Sequence, residues 1–401
     1  MSGSSIINNS PRSIVENVTL EEMRIPAFDG IRGIAIILVL MFHMRPSPEL
    51  TVATPALEML ISPLWCGVDL FFVLSGFLIT GILVDTKQHP RFFLNFYARR
   101  SVRILPLYFG VLIGLFLLLP LLARFHIPSI EKVVAGEYYT RLWDNQAWLW
   151  FYVQNFIQAR GEHQLPGLGH FWSLAIEEQF YLVWPFVVYF LSKKGLFRVS
   201  LLMVFFGFPM RWMMMENGFN AWEIRHLTYA RIDTLAAGAC IALLVRQCPA
   251  SKLPSIAIFL MLCSLMGIIS VYIKLGTLSR GSFEVAVFGY SLFAAFFSGL
   301  LLAVFAEMLP PVLMRVLSSK ALTLFGTLSY GIYVFHWPVL HASRAVVEKL
   351  SSSLDFRMPL LQYLLGNVLT VALTVTIAQL SWKFYELPWL RLKRYFRYHT
   401  S

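Results

Sequence analysis

The chain has 401 residues, 57% of them hydrophobic and 14% charged, with a mean hydropathy of +0.65. That is too apolar for the surface of an ordinary soluble domain and places the chain among polytopic membrane proteins. Its net charge of +11 lies in short clusters between apolar runs and forms no single basic patch, so it reads as charge that sets orientation in a lipid bilayer, and nucleic acid is not an expected partner.

Residues 1–24 are polar and lack the basic start and apolar stretch of a cleavable signal peptide, so the first apolar helix is expected to act as the insertion signal as well. Crossing about 30 Å of hydrocarbon takes about 20 apolar residues as a helix, because only an intrahelical ladder satisfies the backbone there. Such runs predict an all-α fold with spans near 30–46, 63–84, 104–123, 171–191, 197–216, 230–247, 255–275, 284–307, 322–345 and 359–385. An even number of spans puts both termini on one side. The basic loops at 85–103, 192–198 and 308–321 and the tail with Arg391, Lys393, Arg394 and Arg397 then share that side, which the positive-inside rule makes cytoplasmic. Glu131, Glu137, Asp144 and Glu162 fall on the other. No internal repeat appears, and the expected organisation is a polar cytoplasmic tail over 1–25, one membrane domain over 26–385 and a basic cytoplasmic tail over 386–401, in the inner (plasma) membrane. Residues 124–170 carry Trp143, Trp148, Trp150 and Tyr152, which suits helices lying in the interface better than a further span, and leaves a rim for binding an acceptor as the other reading. Cys66, Cys240, Cys248 and Cys263 form no CxxC pair and have no His at metal-ligand spacing; neither disulfides nor a metal site are expected.

Charge inside hydrocarbon costs several kcal/mol, so each ionisable residue in a span needs a partner, a water cavity or a chemical role. The first span is interrupted by Arg32 and His43. Eleven helical steps of about 100° nearly restore the starting direction, so one face carries a cation and, roughly 16 Å along the axis, an imidazole. Asp69 enters the second span near the level of His43. Glu177 and Glu178 follow Phe171-Trp172-Ser173 at the start of the fourth, expected in the same outer third, and only one of the two faces His43 because neighbouring positions diverge by about 100°. Arg231 and Asp233 open the sixth span. For Asp69, Arg231 and Asp233 an ion-pair role weighs as much as a direct one. His336, before Trp337-Pro338, reads first as a packing or interface residue. Before the third span stand Arg99, Arg100 and Arg103; Arg100 and Arg103 project together if helical and suit phosphate as well as anchoring.

Cations at the cytoplasmic mouth, small and apolar residues between, and an imidazole with carboxylates further out suggest a phosphate-bearing donor inside and chemistry outside. A pantetheine thioester fits, its arm threading the bundle, with a carboxylate-oriented imidazole as general base toward an alcohol. Arg99, Arg100, Arg103 and Asp29 are the candidate donor-binding residues; His43, Arg32, Glu177, Glu178 and Asp69 the candidate catalytic ones; Ser173, Arg231, Asp233, Tyr330 and His336 the supporting ones.

These residues lie in motifs that make the chain resemble the acyltransferase-3 family of membrane O-acyltransferases: Phe28-Asp29-Gly30-Ile31-Arg32 with His43, Gly67-Val68-Asp69 through Ser75-Gly76-Phe77, Arg99-Arg100-Ser101-Val102-Arg103, Phe171-Trp172-Ser173-Leu174 with Glu177, and Leu328-Ser329-Tyr330-Gly331-Ile332-Tyr333 before His336-Trp337-Pro338. The resemblance covers about residues 26–385. It implies a ten-helix membrane fold, acyl-CoA (acetyl-CoA first) as co-substrate with no permanently bound cofactor, a functional Arg32 and His43, and an Arg-x-x-Arg motif at Arg100 and Arg103. It also implies as acceptor a hydroxyl on a sugar, a surface glycan or a secondary metabolite. Some members carry a further extracytoplasmic esterase-like domain; if the chain ends at Ser401, the membrane domain transfers alone or hands over to a separate protein. A proton-coupled transporter is the alternative, since intramembrane His, Asp and Glu also build relays, although no paired broken helices are visible. The sequence leaves open whether copies of the chain form a homo-oligomer.

Overall fold

A computed structural model describes residues 25–46, 59–161, 164–353 and 358–398; Glu162 lies outside them, as does nearly all of the expected N-terminal tail. The fold is all-helical. Among the described residues, ten helices reach sixteen residues or more: α1 (Pro26–His43), α2 (Gly67–Thr86), α3 (Phe92–Ile113), α4 (Trp172–Phe190), α5 (Lys193–Glu216), α6 (Ile232–Gln247), α7 (Leu253–Leu275), α8 (Tyr290–Phe305), α9 (Lys320–Ser353) and α10 (Pro359–Ser381). Seven of them, all but α4, α6 and α9, are long and apolar enough, with their flanking turns, to cross a membrane by length and composition. Of the other three, α4 carries Glu177 and Glu178, α6 is sixteen residues long, and the apolar stretch of α9 is diluted by Thr327, Ser329, Tyr330, Tyr333 and His336. The chain is a multi-pass membrane protein.

Helix starts explain where boundaries moved. Pro26 opens α1, as a residue with fixed φ and no N–H does at a first helical position. Asp29 therefore sits in the helix's first turn and not ahead of it. Helix α3 begins at Phe92, well before the apolar run, so Arg99, Arg100 and Arg103 are helical. The described residues of 124–170 include four short α-helices, none longer than eight residues. They cap the bundle at the His43 end: Tyr108 of α3 donates to the Leu149 carbonyl at 2.8 Å, and Gln154 to that of Phe171 at 2.9 Å. The basic C-terminal segment is not loose. Asn95 donates to the Arg397 carbonyl at 2.8 Å, and Arg99 to those of Lys393 at 3.3 Å and Phe396 at 3.1 Å, which docks it on α3.

Two close crossings organise the bundle. Helices α1 and α9 meet at glycines: a β-carbon on Gly33 would overlap the Leu322 carbonyl, and one on Gly326 the Asp29 carbonyl. Helices α2 and α6 do the same, Gly76 against Leu235 and Gly238 against Val73. Lipid supplies no hydrophobic drive for helices to associate, so close backbone approach through small residues is how they gain packing. Two buried ion pairs tie the second crossing to its neighbours. Arg231 pairs with Asp69 and lies 3.7 Å from the Tyr290 ring centre. Arg211 of α5 pairs with Asp233 at 2.8 Å and also reaches the Ala230 carbonyl at 2.8 Å, the Val287 carbonyl at 3.1 Å and Ser291 at 2.5 Å.

Gly326→Val is expected to force α1 and α9 apart, an overpacking cost of about 1–3 kcal/mol, and to lower the detergent melting temperature by several degrees. Gly114→Ala, where a β-carbon meets nothing within 4 Å, should melt as wild type. Differential scanning fluorimetry on the purified chain checks both, and equal melting of the two variants would show that the crossing is not close.

Candidate active site

At the Pro26 end of α1, a cavity of about 320 Å3 is lined by Asp29, Arg32, Arg99, Arg100, Arg103 and Lys393, with Thr327 and Trp382. Of these, the sequence grouped Asp29, Arg99, Arg100 and Arg103 as donor-binding and set Arg32 with the catalytic residues; Lys393, Thr327 and Trp382 reach the site from α9 and the C-terminal segment. Arg32 donates to Asp29 at 2.9 Å, one helical turn away on α1. Arg99 differs from its neighbours: besides its two carbonyl contacts, its guanidinium lies 5.4 Å from the Tyr398 ring centre. It clamps the C-terminal segment into the cavity wall, whereas Arg100, 5.0 Å from the Tyr181 ring centre, and Arg103 line the path leading on.

That path is a second cavity of about 110 Å3, sharing Arg32, Arg100 and Arg103 with the first and adding Ser75, Ser173, Glu177, Glu178, Tyr330 and Tyr333. Glu177 accepts from Ser75 at 2.7 Å. Here the structure departs from expectation. Helix α4 is entered through a tight turn over Gly169–Phe171, so His170 and Ser173 take the level of His43, and Glu177, four residues on, falls about 6 Å deeper at 1.5 Å per residue. The carboxylate expected to orient His43 instead shares a cavity with Arg32, Arg100 and Arg103.

His43 faces another imidazole. Its Nδ1 lies 3.1 Å from His336 Nε2, and His336 Nδ1 lies 2.7 Å from the Tyr333 carbonyl. A carbonyl only accepts, so His336 Nδ1 carries hydrogen. In the neutral ring its Nε2 is then an acceptor, the hydrogen between the rings belongs to His43 Nδ1, and the lone pair of His43 sits on Nε2. Trp337 packs edge-on to His43 at 4.7 Å, and His170 packs on His336 at 4.8 Å between ring centres. His336 is thus the partner of His43 and not the packing residue first expected. Tyr333, one turn before it on α9, donates to the His170 carbonyl at 2.6 Å and lies 2.6 Å from Ser173. The signal for it was available: Tyr330, Tyr333 and His336 recur at three-residue spacing and share a helix face. Tyr330 donates to the Ile104 carbonyl at 2.8 Å.

A narrow third cavity of about 20 Å3 holds His43, Asp69, His170, Arg225, Arg231, Arg280 and Tyr333. Asp69 shares the level of His43, as expected; its Oδ1 accepts from Arg231, while its Oδ2 is buried with no hydrogen-bond partner among the described residues. Asp233, paired with Arg211, lines none of these spaces. For both aspartates the ion-pair role is the one observed. The third cavity shares Val68 and Tyr333 with the second, and Phe42, Arg225 and Arg280 with a fourth of about 250 Å3 that also holds Arg45, Ser62 and Trp222. Four adjoining cavities therefore run from an arginine cluster, past carboxylates, to an imidazole pair and an open vestibule beyond it.

The chain is 28% identical over 387 residues to a peptidoglycan O-acetyltransferase of Listeria monocytogenes, covering 91% of this chain and 55% of that one. It is 26% identical over 377 residues to an O-acetyltransferase of Staphylococcus aureus, covering 91% and 57%, and 28% identical over 387 residues to a putative peptidoglycan O-acetyltransferase of Bacillus subtilis, covering 91% and 54%. The chain spans about half the length of these curated relatives. No solved structure matches it. The family model for the acyltransferase-3 type of acyltransferase domain matches residues 25–379, and the chain belongs to that family.

Proposed function

We propose that the protein is a membrane O-acyltransferase that takes an acyl group, acetyl or another short acyl, from acyl-CoA at the cytoplasmic face. It passes that group to a hydroxyl of a sugar, surface glycan or secondary metabolite across the inner (plasma) membrane, with ten helices crossing and both termini cytoplasmic. The observation that carries this reading is the run of cavities joining Arg32, Arg100 and Arg103 to His43. The relatives named as O-acetyltransferases, two of them of peptidoglycan, favour an acetyl donor and a glycan acceptor.

The first cavity suits the phosphates of the donor, because guanidinium forks bind phosphate through paired, charge-assisted hydrogen bonds. Asp29 holds Arg32 in place, and Arg99 with Lys393 closes the wall. With no phosphate present, Glu177 and Glu178 offset the cations buried beside them. The pantetheine arm then threads the second cavity toward Tyr333. The acceptor hydroxyl loses its proton to His43 Nε2 while its oxygen attacks the thioester carbonyl carbon. The C–S bond breaks, and the leaving thiolate takes up that proton. His336 stabilises the imidazolium by accepting from Nδ1, as a carboxylate does elsewhere, without placing a further charge in the bundle.

His43→Ala is expected to cut acceptor-dependent CoA release about 10²–10⁴-fold, the range of a general base, with an unchanged melting temperature. His336→Ala should lower kcat while leaving the KM for acetyl-CoA in place, since it acts on the base and not on the donor. The readout is thiol release by the purified full chain with a panel of sugar acceptors; near-wild-type turnover of His43→Ala would end this mechanism.

Arg100→Ala and Arg103→Ala are expected to raise the KM for acetyl-CoA about tenfold or more, a charge-assisted hydrogen bond being worth about 1.5–3 kcal/mol. Unaltered donor KM in both would move the phosphates elsewhere. For topology, a cysteine in Glu137→Cys should react with an impermeant thiol reagent from outside intact cells. Labelling only after the cytoplasmic face is opened would invert the orientation.

A further inference from the structure

The narrow third cavity beside His43 is walled by buried polar groups that their surroundings leave incompletely paired. Asp69 in the first turn of α2, Arg231 immediately before α6 and Tyr290 at the start of α8 all line it, and none is more than 1% exposed. Arg231 meets Asp69 Oδ1 through one terminal nitrogen. Asp69 Oδ2, Arg231 Nε and the Tyr290 hydroxyl have no hydrogen-bond partner among the described residues. The Tyr290 ring is fixed by two neighbours: its centre lies 3.7 Å from the Arg231 guanidinium carbon and 5.2 Å from the Trp65 ring centre, and Trp65 Nε1 donates to the Leu278 carbonyl at 2.8 Å. A buried group left unpaired bears the full loss of its hydration. Three such groups, brought from three elements to one space beside the imidazole, form a site that a ligand completes.

Their chemistry selects the ligand. Asp69 Oδ2 only accepts, Arg231 Nε only donates, and the Tyr290 phenol can donate as well. A carboxylate or phosphate would meet the charge of Asp69, and an ammonium that of Arg231. A neutral hydroxyl, with one hydrogen to donate and two lone pairs to accept with, satisfies all three. An acetamido group also donates and accepts, but it is too large, since about 20 Å3 admits roughly one water-sized group. We infer that this space binds a second hydroxyl of the acceptor, next to the one that His43 deprotonates. That hydroxyl donates to Asp69 Oδ2 and accepts from Tyr290 and Arg231 Nε, which presents its neighbour, one carbon away, to His43 Nε2. The inference rests on the acyltransferase reading and narrows it to acceptors with hydroxyls on neighbouring carbons, as in a sugar ring or another polyol.

The test is a titration of the full chain, without acyl donor and in a detergent that has no sugar head group, followed by the fluorescence of Trp65 and Trp172, which wall the same space. The probes are the methyl glycosides of glucose, galactose and N-acetylglucosamine, each with its analogues lacking one hydroxyl. At least one glycoside should give a saturable change. Tyr290→Phe, which keeps the ring and removes only its oxygen, should weaken that binding about fivefold or more and melt as wild type. One deoxy analogue should bind wild type at least as weakly as the parent glycoside binds Tyr290→Phe, and should lose nothing further in that variant, because its partner for the phenol is already gone. Asp69→Asn, in which an amide replaces the accepting carboxylate, should show the same dependence on that hydroxyl and carries the test if Tyr290→Phe fails to fold. No saturable change with any probe, wild-type affinity in the variants, or losses that add independently would each overturn the inference and leave the space to solvent. Because no donor is present, binding of this pattern without turnover would count against the acyltransferase reading alone, and turnover with independent losses against this inference alone.

Discussion

The close crossing of α1 and α9 is the constraint on which the site depends. One face of α1 carries Arg32, which pairs with Asp29 of the same helix, and His43, which finds its counterpart on α9. The glycines at 33 and 326 let α9 approach until backbone touches backbone. That approach sets His336 opposite His43 at 3.1 Å and turns Thr327, Tyr330 and Tyr333 toward the cavities between. A hydrogen bond between rings tolerates only a few tenths of an ångström. A single methyl at the crossing therefore disturbs an imidazole pair more than one helical turn away.

The remaining buried charges divide by what they touch. Arg211–Asp233 and Arg231–Asp69 are almost wholly inaccessible, with the exposure of each side chain at 2% or less. Removing one member of such a pair leaves an uncompensated charge, at about 3–5 kcal/mol, so these pairs fasten α2, α5, α6 and α8. Arg32, Arg100, Arg103, Glu177 and Glu178 line the second cavity together, whereas Asp69 and Arg231, which wall the narrow third one, meet each other as a buried pair.

Much of this was legible because helix periodicity is local. Arg32 with His43, and Arg100 with Arg103, follow from spacing alone. What failed was depth and partnership. The placement of Glu177 required knowing that a tight turn at Gly169–Phe171 precedes α4. His336 looked like an interface residue because its partner is nearly three hundred positions away. Arg99 carries the same charge as Arg100, yet the docking of the C-terminal segment takes it up. Arg45, Arg225 and Arg280 line one cavity only through tertiary structure, since they come from two loops and a short helix.

The order of charge along the cavities bears on how such a protein keeps its two substrates apart. Cations stand at both ends, and the narrowest space, about 20 Å3, holds roughly one water. A charged group squeezing into that space sheds most of its hydration, at several kcal/mol per charge. A neutral acyl group has no such cost. Under the proposed reading, the phosphates of the donor stay at Arg32, Arg100 and Arg103, while only the acyl carbon reaches the constriction from one side and the acceptor hydroxyl from the other. Of the carboxylates, Asp69 walls this space but faces Arg231, so the hydrogen-bond partner of His43 there is the imidazole of His336 and not the carboxylate expected from sequence.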